Sequence, residues 1–156
     1  MIKTLVVEKN FRGSMRDVFY DLAENPNYFP KYFKGFAPFV PGIRKITPQW
    51  TGQIVPGGVR KVDLSDGSFV MERVTVHEPP RLQKYEMAEL NSMQKLVCQK
   101  MHAEYSLEDK GEFVHVKWTY WIETEKLLQK PLVAIVGWAF HKAMHRFMDA
   151  ASSHAR

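Results

Sequence analysis

The sequence predicts an α+β fold in which a curved antiparallel sheet wraps around one long C-terminal helix, and three features predict it. The chain closes on residues 127–151, a long apolar segment whose apolar side chains recur at helical spacing. Residues 59–123 alternate apolar and polar positions, with turn chemistry between the runs. Ahead of them, one strand-like stretch is followed by two short, aromatic-rich helical patterns. A terminal helix cannot hide a wide apolar stripe by itself, so the strands must supply the surface that covers it.

In order, residues 3–11 alternate Leu5, Val7 and Phe11 against Glu8, Asn10 and Arg12, the period of a strand. Ser14 stands as an N-cap before residues 15–23, where Val18, Phe19 and Leu22 repeat at helical spacing, and Asn25-Pro26 stops that helix. A second short helix is expected over 27–34, carrying Tyr28, Phe29, Tyr32 and Phe33. Residues 35–41 (GFAPFVP) are too proline-rich for a helix and too apolar for a free loop, so they lie across the body. Residues 43–53 read as one or two modest strands broken at Pro48, and Pro56-Gly57-Gly58 is a turn.

Strands then follow over 59–64 and 68–78, joined at Ser65-Asp66-Gly67, and over 82–89 after Pro79-Pro80. Residues 91–94 read as a loop. The last hairpin joins 97–107 to 113–123 through Asp109 to Glu112. On the closing helix, Pro131 occupies a first turn. Leu132, Val136, Ala139, Phe140, Ala143, Phe147 and Ala150 form one arc, with Lys142, His145 and Asp149 opposite.

Composition narrows the function classes. The length of 156 residues suits one domain spanning the whole chain, and 45% hydrophobic with 25% charged residues is an ordinary globular balance. The formal charge of +5 is carried by Lys and Arg set singly between acidic residues, which argues against nucleic acid as a partner. The longest apolar run, 132–140, is too short to cross a membrane, so no stable insertion is expected. One cysteine, Cys98, excludes an intrachain disulfide and fits a reducing, cytoplasmic setting. His141 and His145 stand one helical turn apart without a further ligand at metal spacing, so a solvated helix face is preferred to a metal site, and His145 is expected to pair with Asp149. No cofactor is implied, and no phosphate loop or nucleophile elbow occurs.

The stretches FYDLAENPNYFPKYF and VRKVDLSDGSFVMERVTVHEPPRLQKYE, with the long closing helix, resemble the START-like superfamily across nearly the whole chain. DGS, ER and EPP at their relative spacing are the most specific pieces. Within the superfamily the chain is similar to polyketide cyclase/dehydrase and lipid-transport-type proteins, which share the fold of the birch-pollen allergen. The resemblance implies a helix-grip fold with a cavity between sheet and helix. It also implies binding of a polyketide, lipid or other hydrophobic molecule, with cyclisation, aromatisation or condensation in a minority of members.

Strand parity says which side chains face that cavity. Val114, Val116, Trp118, Tyr120 and Ile122 share a face, as do Met101, Ala103, Tyr105 and Leu107. The Asp109–Glu112 loop sets Tyr105 opposite Val116 and Ala103 opposite Trp118. His102, His115, Lys117 and Trp121 point outward. At Asp66-Gly67, Val62 and Leu64 can share a face with Val70, Val74 and Val76 only across an odd loop. A three-residue loop with left-handed Gly67 puts Arg60 opposite Glu72.

That pair is either a pocket-edge ion pair that fixes register or the polar anchor of an apolar pocket, where a facing guanidinium keeps the carboxylate charged. Glu72 and Arg60 are therefore the candidate catalytic pair. Tyr32, Phe36, Tyr85, Met101, Tyr105, Trp118 and Tyr120 are the candidate ligand-binding residues. Tyr28, Phe33 and Phe39 join the aromatics near the mouth, either as a lid or as core, and Met87 and Met144 would suit an adaptable wall. A bulge is expected after Pro80, because Leu82 is out of phase with Tyr85 and Met87.

Three functions remain open on these residues. The first is binding of a hydrophobic, aromatic or polycyclic small molecule. The second is a cyclase, aromatase or dehydratase in which Glu72 or a pocket tyrosine moves a proton. The third is a lipid or quinone carrier, which the resemblance of YFPKYF to the coenzyme-Q-binding branch implies, with Lys31 and Lys34 placed to meet anionic lipid. Trp138, off the apolar arc, raises a homodimer as a further partner.

Overall fold

The computed structural model of the chain describes residues 1–155, apart from the side chains of residues 92 and 93. Seven strands form one antiparallel sheet in the order β1-β7-β6-β5-β4-β3-β2. They are β1 (Ile2–Phe11), β2 (Ile43–Pro48), β3 (Val59–Leu64), β4 (Phe69–Glu78), β5 (Leu82–Glu89), β6 (Lys100–Asp109) and β7 (Val114–Glu123). Between β1 and β2 lie α1 (Met15–Phe19), which runs on as a wider turn over Tyr20–Glu24, and α2 (Tyr28–Tyr32). A short helix α3 (Ser92–Val97) follows β5, and α4 (Lys130–Ser153) closes the chain after a tight turn at Leu127–Gln129. Among the described residues no helix is long and apolar enough to cross a membrane.

Local chemistry explains the elements. Ser14 Oγ accepts from the Asp17 amide at 3.1 Å and starts α1. Leu5, Val7 and Phe11 on β1 face Tyr120, Trp118 and Val114 on β7, and all six are buried. The β3–β4 hairpin closes as expected, with Gly67 at φ 88° and Arg60 directly across from Glu72. Its neighbour β5 is tied to the helices by Gln83, which is fully buried. Gln83 Nε2 donates to the Ala23 carbonyl at 3.3 Å, and Gln83 Oε1 accepts from His77 Nδ1 at 2.7 Å.

Several expectations need correction. The last hairpin turns at residues 110–113, one residue later than expected at each end, so Tyr105 pairs with Trp118 and Ala103 with Tyr120. The slip is two residues in register, so every side chain keeps its predicted face. The β4–β5 pairing shifts twice, at Ala88 on β5 between the pairs Met71–Glu89 and Glu72–Met87 and at Thr75 on β4 between the pairs Val74–Tyr85 and Val76–Lys84, and not just after Pro80. The Thr75 bulge turns His77 inward in place of Val76, while Gln83 keeps phase with Tyr85.

Residues 91–94 are not a loop, because Asn91 and Gln94 cap each other reciprocally and open α3, which takes Val97 out of β6. The second segment of 43–53 does not form a strand, and β2 ends at Pro48. On α4 the buried arc is turned toward Val133, Gly137, Met144 and Met148. Leu132 is left 44% exposed and Ala150 half-buried, since the helix lies against β1, where the Lys3 stem approaches Gly137. Asp149 bonds Lys9 of β1 at 2.8 Å rather than His145.

Candidate functional site

Between the concave sheet face and α4 lies a cavity of about 440 Å³. That volume is within the range typical of small-molecule sites, about 300–1,000 Å³. Alternation on β3 to β7 sends Val62, Val70, Met87, Met101 and Ile122 into it, and α2 and α4 cover it with Phe29, Phe33, Val136 and Phe140. Its mouth is framed by residues 37–43, the hairpin tip at Ser65-Asp66, and Asn91, Gln94 and Val97 around α3. Phe39, at the rim, is 47% exposed.

Away from the polar residues of the mouth, the charged groups of the wall are one buried pair. Arg60 Nε donates to Glu72 Oε2 at 2.8 Å, and both residues are buried. The guanidinium also lies over the Tyr85 ring, 5.3 Å from its centroid. Tyr85 Oη receives the Trp118 indole N–H at 3.1 Å and shares a hydrogen bond with Tyr105 Oη at 3.1 Å. Phe29 stacks on Phe147 with centroids 4.2 Å apart, so the aromatic wall is locked to α4 from behind.

This setting fixes protonation. Burial works against the Arg60 charge, but Glu72 together with Tyr105 and Tyr85 more than offsets it and holds the guanidinium above its usual value. Burial, reinforced by the Glu72 carboxylate and, for Tyr105 and Tyr120, by Tyr85, pushes the hydroxyls of Tyr85, Tyr105 and Tyr120 above the ordinary phenol range. These tyrosines therefore stay protonated near neutral pH, able to donate and to accept hydrogen bonds but not to act as bases. Cys98, also in the lining, is buried, its thiol donates to the Gln94 carbonyl, and burial raises its pKa to about 11.

Arg60, Glu72, Tyr85, Met101, Tyr105, Trp118 and Tyr120 all line this one cavity. Tyr32 and Phe36 do not. Tyr32 packs on Tyr28 and on His154 at the end of α4, and Phe36 lies edge-on to Trp138 with the Arg146 guanidinium 4.6 Å from its ring. Both were drawn outward because α2 presents Phe29 and Phe33, one turn apart, to the sheet; that i, i+4 spacing was the available signal. Trp138 thus has a partner within its own chain. Met144 is sealed in the core and lines nothing, whereas Gln94 and Cys98 enter the wall only because α3 exists. Among the described residues no group of three or more His, Cys, Asp or Glu side chains stands where it could hold a metal ion. His141 Nε2 donates to the Val6 carbonyl at 2.9 Å.

Solved structures share this arrangement from end to end. Ara h 8.0201 matches with a TM-score of 0.66 at 16% identity, covering 99% of this chain and 100% of its own. This is the START-like, birch-pollen-allergen-like helix-grip fold. The ginseng major latex-like protein 151 from Panax ginseng matches this chain with a TM-score of 0.60 at 12% identity over 93% of it and 97% of its own length. The di-domain ARO/CYC BexL, from the BE-7585A biosynthetic pathway, reaches 0.71 at 12% identity, covering 99% of this chain and 50% of BexL. No protein-family model matches the sequence, and no curated protein does.

Proposed function

We propose that this START-like chain, acting as a single domain over residues 1–156, binds a flat hydrophobic small molecule of the aromatic, polycyclic or lipid-like kind. Its working site is the reducing cytoplasm, where the lone Cys98 stays a thiol. The observation that carries the reading is the cavity: about 440 Å³, walled by aliphatic and aromatic side chains, with one buried ion pair, Arg60 and Glu72, in that wall and further polar residues at its mouth. An apolar wall supplies affinity, and one small polar patch supplies orientation.

Native mass spectrometry of the protein from its own cells, followed by denaturing extraction, tests this. A retained hydrophobic molecule released on unfolding is the expected result. A protein that retains nothing and also fails to bind any naphthalene-type ligand added at near-millimolar concentration would contradict it.

A second reading is favoured by the closeness of three tyrosines to Glu72. In an enzyme of the cyclase or dehydratase kind, Glu72 would take a proton from a carbon beside a carbonyl while a tyrosine hydroxyl donates to the carbonyl oxygen. Turnover of a polyketone substrate, lost in Glu72→Gln while binding persists, would establish that reading over simple carriage.

A further inference from the structure

Resting on the binding function proposed above, the geometry points to a ligand whose buried end is neutral and carries a hydrogen-bond acceptor beside a donor, as a primary amide or a hydroxy ketone does. A carboxylate end is refused. Arg60 uses only Nε toward Glu72, and Glu72 uses only Oε2. Among the described residues, neither terminal nitrogen of Arg60 nor Glu72 Oε1 makes a hydrogen bond. None of the three is among the polar atoms sealed away without a partner, which are His102 Nδ1 and Thr119 Oγ1. Both residues are buried and both line the cavity, so the space these free atoms meet is the cavity itself.

The neighbouring hydroxyls of Tyr85 and Tyr105 are already engaged with each other and with Trp118. A ligand group that reaches the ion pair therefore meets unused N–H donors on one side and an unused carboxylate oxygen on the other. An acceptor and a donor on adjacent ligand atoms satisfy both. The pair sums to zero charge. An anionic ligand end would bring a second negative charge against Glu72 in an apolar setting, and the other cation of the lining, Lys34, holds its amine in an exposed hydrogen bond to the Pro30 carbonyl at 2.9 Å.

Calorimetric titration with three ligands of one skeleton, 2-naphthamide, 2-acetonaphthone and 2-naphthoate, tests this. In a merely apolar cavity the ketone binds best, because the amide loses more hydration on entry. The ion pair reverses that order: the amide binds about tenfold tighter than the ketone and at least about tenfold tighter than the carboxylate, as expected for hydrogen bonds to charged groups. In Glu72→Gln the Arg60 charge is uncompensated, and 2-naphthoate overtakes the amide.

A ketone that equals or beats the amide in the wild type overturns the inference while leaving hydrophobic binding intact. So does an unchanged order in Glu72→Gln. If none of the three binds, the binding function falls with it. The wild-type order requires no variant, so the inference stays testable even where Glu72→Gln does not fold.

Discussion

At the scale of the residue, the Arg60–Glu72 pair combines two roles. Each of these two charges taken out of water has the other as its ionic partner, and removing one leaves the other to bear most of the cost of burial. Arg60→Leu should destabilise the chain by about 3–5 kcal/mol in chemical denaturation, while Arg60→Leu with Glu72→Leu should restore most of that loss. A double variant as unstable as the single one would show that the pair is not isolated electrostatically. Cys98 gives a second residue-scale test. With its pKa at about 11 against an ordinary 9, its thiolate fraction at pH 8 is roughly a hundredfold below that of a free thiol, on top of its burial. A disulfide reagent should therefore label the folded protein at least about a hundredfold more slowly than the unfolded chain, and a cavity ligand should slow it further.

At the scale of the element, turns and caps set which faces meet. Gly67 lies in the left-handed region with open space where a Cβ would go, so Gly67→Ala should cost about 1 kcal/mol from the backbone alone. Gly35 is also left-handed, and a Cβ there runs into the Val40 carbonyl oxygen, so Gly35→Ala should cost clearly more and disturb the cavity mouth. Thermal melts of the two variants decide the ranking.

The first of these turns was legible in the sequence because apolar parity across Val62 and Val70 allowed only an odd loop. The last hairpin was less so: a four-residue loop can close at 109–112 or at 110–113 without changing which faces are apolar. Thr75 was illegible as a bulge because Val74 and Val76 look alike, and only the tertiary demand for His77 against Gln83 and Glu24 chooses between them. α3 carried a readable signal in Asn91 and Gln94, hidden by its brevity. The α4 stripe is displaced by one edge from the wheel's arc, since Leu132 is left exposed while Met144 and Met148 pack the core.

At the scale of the whole molecule, the sheet curves so that seven strands and four helices enclose one volume instead of filling it. A cavity of this size forgoes packing that a close-filled interior would gain, and a ligand that fills it should return stability by mass action. The polar patch and the aromatic wall of that cavity were readable from strand parity. Its rim and its α4 side were not, because they depend on how helices lie over the sheet.

The most direct test is calorimetry of 2-acetonaphthone against the wild type and against Val70→Phe, whose ring would project from β4 into the cavity. The predicted result is a one-to-one isotherm with a Kd on the order of 10 µM for the wild type, and binding at least about tenfold weaker for the variant, whose Tm stays within about 3 °C. Equal binding by the two proteins, or none by the wild type, would contradict a ligand-holding cavity between the sheet and α4.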